Sequence, residues 1–156
     1  MIITLENLAR ELPAQGRVLG LDLGSKTIGI ALSDLSRIIS SPLKTLKRTK
    51  FGRDAMALSA LMDEHEIQAL ILGLPMNMDG TEGPRCQATR QFAENLQGKI
   101  DCTIAFWDER WSTQAVTRTL LEADASRARR SELVDKLAAS YILQGALDRM
   151  RDQMRQ

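Results

Sequence analysis

Asp22 lies inside an apolar run, residues 18–24, that otherwise predicts a buried β-strand. An ionised carboxylate in such a place needs a partner to replace the water that burial removes. A divalent metal ion, which prefers oxygen ligands, is the strongest candidate, and backbone N–H groups or a lysine are the structural alternative. A turn at residues 24–27 and a second apolar run at residues 28–32 follow. We therefore predict a β-hairpin with the acid near its open end.

Acidic residues also follow the last predicted strand and begin the last predicted helix. Asp108 and Glu109 come directly after the apolar run at residues 102–107, and Asp135 lies near the start of the final helical pattern. Successive residues of an extended segment point to opposite faces, so only one of Asp108 and Glu109 can share the face of Asp22. An acid in a first helical turn is also favoured by the helix dipole, which is a structural explanation for Asp135.

Carboxylates from distant parts of the chain favour chemistry with a hard cation. Mg²⁺ and Mn²⁺ take oxygen ligands, and shared carboxylates can hold such ions where they activate water and stabilise the leaving oxygen of a phosphoryl displacement. His65 is the only histidine and lies among acids, and Cys86 and Cys102 have no metal-ligand spacing. We therefore predict Mg²⁺ or Mn²⁺ as the cofactor and hydrolysis of phosphodiester bonds as the reaction.

Basic residues are clustered, although the net charge of the chain is only +1. Five of them fall within residues 44–53 without an intervening acid, and three fall within residues 127–130. Such clusters are typical of solvated surfaces as well as of phosphate contact. Because both clusters are expected to border the acidic end of the sheet, we interpret them as positioning phosphates in a largely sequence-independent way. The predicted nucleic-acid-binding residues are Lys26, Lys47, Arg48, Arg85, Arg110, Arg129 and Arg130.

The hydrophobic patterns predict elements in the order βββαβαβαα. We predict an α/β fold with a five-stranded mixed sheet, in which three antiparallel strands precede two strands joined through helices, and helices flank the sheet. Pro42 lacks a hydrogen-bond donor and predicts an edge position for the third strand. Residues 127–130 are predicted to form a loop and Ser131 to cap the last helix. Residues 1–16 are predicted to be a short peripheral extension, and residues 1–156 a single domain.

The N-terminal residues carry no basic start and no apolar core of the kind found in secretory signals, and no apolar run reaches membrane-spanning length. We therefore expect a cytoplasmic protein without membrane contact. In that compartment Cys86 and Cys102 are expected to be buried, reduced thiols.

Four blocks of this sequence resemble the signature blocks of the YqgF family. They are LGLDLGSKTIGIALSD at residues 19–34, GLP at residues 73–75, DER at residues 108–110 and DKLAA at residues 135–139. The blocks have the order and spacing of that family, and the resemblance spans about residues 18–150. The family is similar to Holliday-junction resolvases of the ribonuclease H-like fold, and it is associated with maturation of the 5′ end of pre-16S rRNA in bacteria.

The resemblance implies a metal-dependent nuclease, acting endonucleolytically, with a ribonuclease H-like fold. Asp22, Glu109 and Asp135 match the acidic residues of the family, which implies that they are the catalytic and metal-binding residues. Classical resolvases of this fold also place a glutamate on the fourth strand, where this chain has Gly73 between two leucines. The middle acid is therefore expected to come from the fifth strand. The implied function is processing of the 5′ end of pre-16S rRNA during ribosome biogenesis.

Other functions stay open at the level of sequence. One is a Holliday junction resolvase, and another is a non-catalytic nucleic-acid-binding factor of ribosome assembly or transcription. Asp22, Gly24 and Ser25 also resemble the first phosphate loop of actin, Hsp70 and sugar kinases, but those proteins build their cleft between two such domains. The expected partners are pre-rRNA or branched DNA, with ribosome-assembly or transcription machinery beyond them. Cutting one RNA strand needs only the monomer that we expect, whereas junction cleavage favours a dimer.

Overall fold

The computed structural model describes residues 1–77, 79–109 and 127–155, and for residues 127–136 it describes the backbone alone. The predicted helix between the fifth strand and the last helix falls outside the described residues. The described elements are, in chain order, α1 (Leu5–Glu11), β1 (Arg17–Leu23), β2 (Thr27–Ser33), β3 (Ser40–Lys47), α2 (Phe51–Glu64), β4 (Ile67–Leu74), α3 (Pro84–Gln97), β5 (Ile104–Asp108) and α4 (Arg127–Met154).

The strands form a five-stranded mixed sheet in the order β3-β2-β1-β4-β5. β2 pairs antiparallel with β1 and with β3, whereas β4 pairs parallel with β1 and with β5. β3 contains Pro42 and lies at an edge, where a strand can lack one N–H donor without breaking the ladder of a neighbour. The predicted five-stranded mixed sheet with helices against it is confirmed.

Alternation along the strands divides the sheet into two faces. The first, which we call the α3 face, carries Leu21, Leu72 and Ile104 and packs against α2 and α3. The second, which we call the α4 face, carries Val18 and Ile71 and packs against α1 and α4. The position of a residue along its strand therefore decides which helices its side chain meets.

α4 lies close against β1 and runs antiparallel to it. A Cβ on Gly20 would lie only 2.6 Å from the Cβ of Leu143, so the glycine allows the helix to approach. Later in α4, the Gln144 amide donates to the carbonyl of Ile38 at 2.8 Å and accepts from the backbone N–H of Ser40 at 2.9 Å. Ile38 and Ser40 lie near the amino end of β1. β3 begins beside the end of β2, and the end of β2 pairs with the beginning of β1. The N-terminal part of α4 therefore extends toward the carboxyl end of β1.

The N-terminal segment is part of the core, which corrects the prediction of a peripheral extension. The Thr4 hydroxyl caps α1 by accepting from the N–H of Asn7 at 3.1 Å. Leu8 is 1% exposed and packs in the cluster that contains α4. Ile2 forms a parallel bridge with Ile104 of β5. The apolar spacing of this segment indicates a helix, but it does not tell which surface receives that helix.

α4 begins earlier than the sequence predicts. Residues 127–130 are helical instead of forming a loop, and Ser131 lies inside the helix instead of at its N-cap. Arginine and alanine are among the strongest helix formers, and a serine cap contributes only about 1 kcal/mol. The propensity of the preceding residues therefore extends the helix through the serine.

The cysteines behave as the composition predicts. Cys86 and Cys102 are free and buried. Burial raises the pKa of the Cys86 thiol to about 11, so this thiol stays protonated and poorly nucleophilic at neutral pH.

Within the described ranges, no helix combines the length and the apolar character that crossing a membrane requires.

Replacing Leu8 by alanine tests the place of α1 in the core. We expect Leu8→Ala to lower the free energy of unfolding by about 2–5 kcal/mol, because it leaves a cavity beside α4. Met56→Ala is the control, since Met56 is 74% exposed on α2 and its removal is expected to change stability by less than about 0.5 kcal/mol. Urea unfolding measures both values. Equal stability of the two variants would show that α1 is peripheral after all.

Candidate functional site

Asp22 lies near the carboxyl end of β1 and is 7% exposed. It follows Gly20 by two residues, so both positions belong to the α4 face. On the neighbouring strand Asp22 is paired with Gly29, which has no side chain to crowd the carboxylate. The structure thus confirms a buried acid in β1 on the face that meets α4. It corrects the predicted place in the hairpin, because Asp22 lies beside the β1–β2 turn and not at the open end.

Glu109 lies on the same face as Asp22. Its Oε1 atom is 2.5 Å from the position that a Cβ on Gly73 would occupy. Gly73 comes directly after Leu72, which pairs with Leu21 of β1, so the register brings Gly73 beside Asp22. The Glu109 carboxylate therefore reaches from the end of β5 across β4 toward β1.

Asp108 lies on the opposite face of the sheet. It pairs with Leu74 of β4 and so belongs to the α3 face. Its charge adds to the effect of burial in raising the pKa of the Cys86 thiol on α3. Of the two acids that the sequence could not separate, Glu109 is the one that shares the face of Asp22.

The acidic pair has the donor chemistry of a hard-metal site. Only β4 separates the strands that carry Asp22 and Glu109, and the Glu109 carboxylate extends over Gly73 of β4 toward β1, so the two carboxylates can approach a common ion. Because Gly73 has no Cβ, the Glu109 carboxylate can occupy the space beside it. Among the side chains that the structure describes, no three or more histidine, cysteine or acidic residues form a metal-binding group. Asp22 and Glu109 supply oxygen donors, which fit Mg²⁺ or Mn²⁺ and leave further ligands to be contributed by others.

Several predicted site residues fall outside the described part of the chain. Asp135 lies in α4, but its side chain is outside the described residues, and the same holds for Arg129 and Arg130. Arg110 is outside the described residues entirely. Their roles stay predictions.

The remaining predicted basic residues lie at the acidic end of the sheet. Lys26 is exposed in the turn between β1 and β2, and Lys47 is exposed at the end of β3, paired with Thr27. The backbone N–H of Arg48 donates to the carbonyl of Lys26 at 2.8 Å. Arg85 lies in the first turn of α3, which follows the carboxyl end of β4. The structure therefore brings these four cations to one end of the molecule, as the sequence predicts.

Sequence reasoning missed the surroundings of Arg48. Its Nη1 donates to the carbonyl of Gly24 at 2.7 Å, and its guanidinium carbon lies 5.6 Å from the centroid of the Phe92 ring. Arg85 precedes Phe92 by seven residues, so both lie on one side of α3. The two arginines line a cavity of about 160 Å³ together with Leu23, Gly24, Ser25, Ala88, Thr89 and Phe92. The seven-residue spacing on α3 is the sequence signal that could have pointed to this cavity.

Comparison with known proteins decides the family. The family model described as RuvX: Holliday junction resolvase matches residues 16–149 of this chain. The chain belongs to the RuvX family. A protein of Ruegeria pomeroyi is 56% identical over 149 residues, which cover 96% of this chain and 97% of that protein. A protein of Paramagnetospirillum magneticum is 60% identical over 147 residues, which cover 94% of this chain and 95% of that protein. Both carry the name "Putative pre-16S rRNA nuclease".

Solved structures of RuvC share the fold of this RuvX-family chain. Thermus thermophilus RuvC in complex with a Holliday junction substrate matches with a TM-score of 0.55 and 13% identity, covering 87% of this chain and 96% of that one. Another Thermus thermophilus RuvC structure matches with a TM-score of 0.52 and 13% identity, covering 86% and 96% of the two chains. The predicted family and ribonuclease H-like fold are confirmed. The family match also supports the predicted nuclease activity on phosphodiester bonds.

Gly73→Ala tests the packing that holds Glu109. The added Cβ would lie 2.5 Å from both Glu109 Oε1 and Ile142 Cδ1, so we expect the free energy of unfolding to fall by about 1–3 kcal/mol. Gly52→Ala is the matched control, because a Cβ there meets nothing within 4 Å and alanine favours the helix, which predicts a gain of about 0.5–1 kcal/mol. Denaturant unfolding gives both values. A Gly73→Ala protein that gains stability as the control does would mean that Glu109 is not packed over β4.

Proposed function

We propose that this RuvX-family protein is a metal-dependent endonuclease whose site consists of Asp22, Glu109 and Asp135, and that it processes the 5′ end of pre-16S rRNA. One observation carries the proposal: Asp22 and Glu109 share the α4 face on either side of Gly73. Carboxylates from separate strands that share one largely covered face repel each other, and a cation between them offsets that repulsion. They are suited to holding a cation.

The course of α4 supports Asp135 as the third acid. The carbonyl oxygen of Ala139 lies 3.1 Å from the position of a Cβ on Gly20. Asp135 precedes Ala139 by about one helical turn, or roughly 6 Å along the axis. Asp22 follows Gly20 by two strand residues, or roughly 6.6 Å. Because α4 is antiparallel to β1, the two displacements have the same direction, and the helix position of Asp135 comes level with Asp22.

Mg²⁺ or Mn²⁺ is the proposed cofactor, with these three carboxylates as its protein ligands. When bound, such an ion supplies an activated water and charge stabilisation for phosphodiester displacement. The chain supplies the position: Asp22 lies on the α4 face and is only 7% exposed, so little bulk water reaches its carboxylate. Ile142 packs beside Glu109 over Gly73 and restricts the directions that this carboxylate can take.

Two substrates have specific support. The names of the relatives favour pre-16S rRNA. The description of the family and the fold shared with RuvC favour a Holliday junction as the second candidate. Phosphate contacts position either nucleic acid without reading its bases. The residues that we propose for these contacts are Lys26, Lys47, Arg48, Arg85, Arg110, Arg129 and Arg130.

We place this activity in the cytoplasm, in a monomer whose single domain comprises residues 1–156. Cutting one RNA strand requires one site, whereas symmetric cleavage of a four-way junction requires two sites related by a dimer axis. A role beside ribosome-assembly or transcription machinery would bring the site to nascent pre-rRNA.

Asp22→Asn tests the proposed site against the acid on the other face. We expect cleavage to slow by at least about a hundredfold, because losing a metal-holding carboxylate forfeits several kcal/mol of transition-state stabilisation. Asp108→Asn is the matched control, since Asp108 is also 7% exposed but lies on the α3 face, and it is expected to keep nearly the wild-type rate. Rates are measured on labelled RNA with Mg²⁺ and with Mn²⁺, and thermal unfolding confirms the fold. Equal rates for wild type and Asp22→Asn would leave only a non-catalytic binding role.

A substrate panel tests the proposed target and the metal together. We expect a pre-16S 5′ leader to be cut at an internal bond and faster than an unrelated single-stranded RNA or a four-way DNA junction. Chelation by EDTA is expected to stop cleavage, and excess Mg²⁺ or Mn²⁺ to restore it. Symmetric cutting of the junction beside an intact leader would replace the rRNA proposal with the resolvase. Cleavage that continues in EDTA would contradict the metal.

A further inference from the structure

We propose that the cavity between the β1–β2 turn and α3 is a phosphate-binding subsite, in which Arg48 and Arg85 hold one phosphate of the substrate strand. The cavity measures about 160 Å³. Both arginines line it, and none of its described lining residues is acidic. The proposal rests on the proposed function, because the phosphate belongs to the nucleic acid that the acidic site cuts.

Arg48 is held in place before any phosphate arrives. Its Nη1 donates to the Gly24 carbonyl at 2.7 Å, its backbone N–H donates to Lys26, and its guanidinium lies 5.6 Å from the Phe92 ring. A guanidinium carries five N–H donors in a planar fork, so it can keep the bond to Gly24 and still direct others at an anion. A side chain fixed in this way loses little rotamer freedom on binding.

Arg85 supplies the second charge from the opposite wall. It is exposed in the first turn of α3, so its long side chain can close over a bound group. The Thr89 hydroxyl, one turn later, donates to the carbonyl of Arg85 at 3.0 Å. Paired guanidinium groups bind phosphate oxygens with short, charge-assisted hydrogen bonds. The N-terminal turn of α3 adds a favourable dipole on the same side.

The cavity is large enough for the proposed ligand. A volume of about 160 Å³ equals that of roughly five water molecules. This is room for a phosphate group between the two arginines.

The position of the cavity predicts the path of the bound nucleic-acid strand. The cavity opens on the α3 side of the β1–β2 turn, whereas Asp22 faces α4 on the other side. Asp22 and Gly24 are two residues apart, or roughly 6.6 Å along the strand. A nucleic-acid strand bound by Arg48 and Arg85 must cross this turn to reach the acidic residues. The subsite therefore sets the distance between the bound phosphate and the bond that is cut. The phosphate bound in the subsite is either a 5′-terminal phosphate or an internal one.

Arg85→Gln tests the subsite by binding alone. We measure the dissociation constant for a short fluorescent single-stranded RNA in EDTA, so that cleavage cannot contribute. We expect the constant to rise about tenfold and the slope of log affinity against log salt to fall by about 0.7, the value for one lost phosphate contact on a single strand. Arg10→Gln is the charge-matched control on α1, at the opposite end of the sheet, and is expected to bind as wild type does.

A second pair of variants leaves both arginines intact. Ala88→Glu puts a carboxylate into the cavity and is expected to weaken RNA binding by about tenfold or more, because it repels the phosphate. Asn95→Glu is its control: residue 95 lies on the same side of α3, two turns further along, and is not part of the cavity lining. Equal weakening by both glutamates would indicate a general effect of charge and would overturn the subsite.

Matched RNAs with a 5′-phosphate or a 5′-hydroxyl identify the phosphate. A loss in Arg85→Gln that appears only with the 5′-phosphate assigns the subsite to a terminal phosphate, and an equal loss on both RNAs assigns it to an internal one. If Arg85→Gln and Arg10→Gln weaken binding equally, the subsite is wrong even where the wild type cleaves RNA. If Arg85 contributes as expected but the wild type cleaves no substrate, the subsite stands and the proposed endonuclease fails.

Discussion

The close approach of α4 to the sheet is the constraint on which the rest of the structure depends. The helix can come so near because glycines lie at the contact points. An added Cβ would lie 2.6 Å from a side-chain atom across the interface at Gly20, 2.5 Å at Gly73 and 3.0 Å at Gly145. The acid at the end of β1 lies on the face that α4 packs against, and it is 7% exposed. The proposed chemistry at that acid therefore depends on residues that have no side chain of their own.

Alternation along the strands then places the acidic pair and the arginine cavity on different faces of the sheet. The α4 face receives Asp22 and Glu109, and the α3 face receives Asp108 and the cavity lined by Arg48 and Arg85. The β1–β2 turn joins the two sites, because Leu23, the residue that follows Asp22, already lines the cavity. Cations on one side and carboxylates on the other can thus act on neighbouring phosphates of one strand without neutralising each other directly.

The features that could be predicted from sequence are those with a strong local signal. Asp22 stands out because its type conflicts with an apolar strand, and Pro42 marks an edge by its missing donor. The choice of Glu109 over Asp108 came from the family resemblance alone, because it depends on the register of β5 against β4, which no local pattern contains. The inward side of α1, where Leu8 is buried, depends likewise on which surface receives the helix. The arginine cavity joins three separated segments, and the sequence spacing indicates only the wall that Arg85 and Phe92 form on α3.

The absence of an acid from β4 follows from the same packing. A Cβ at Gly73 would lie 2.5 Å from Ile142 Cδ1, so a glutamate at this position could not be placed while α4 stays at its present distance. Glycine in a strand costs about 0.5–1 kcal/mol relative to alanine. Here the space that it leaves is filled by Ile142 and by the Glu109 carboxylate, which arrives from the end of β5, where the chain leaves the sheet and its side chain can turn back. Moving the acid from β4 to β5 is therefore the arrangement that keeps a carboxylate beside Asp22 and a tightly packed helix above it at the same time.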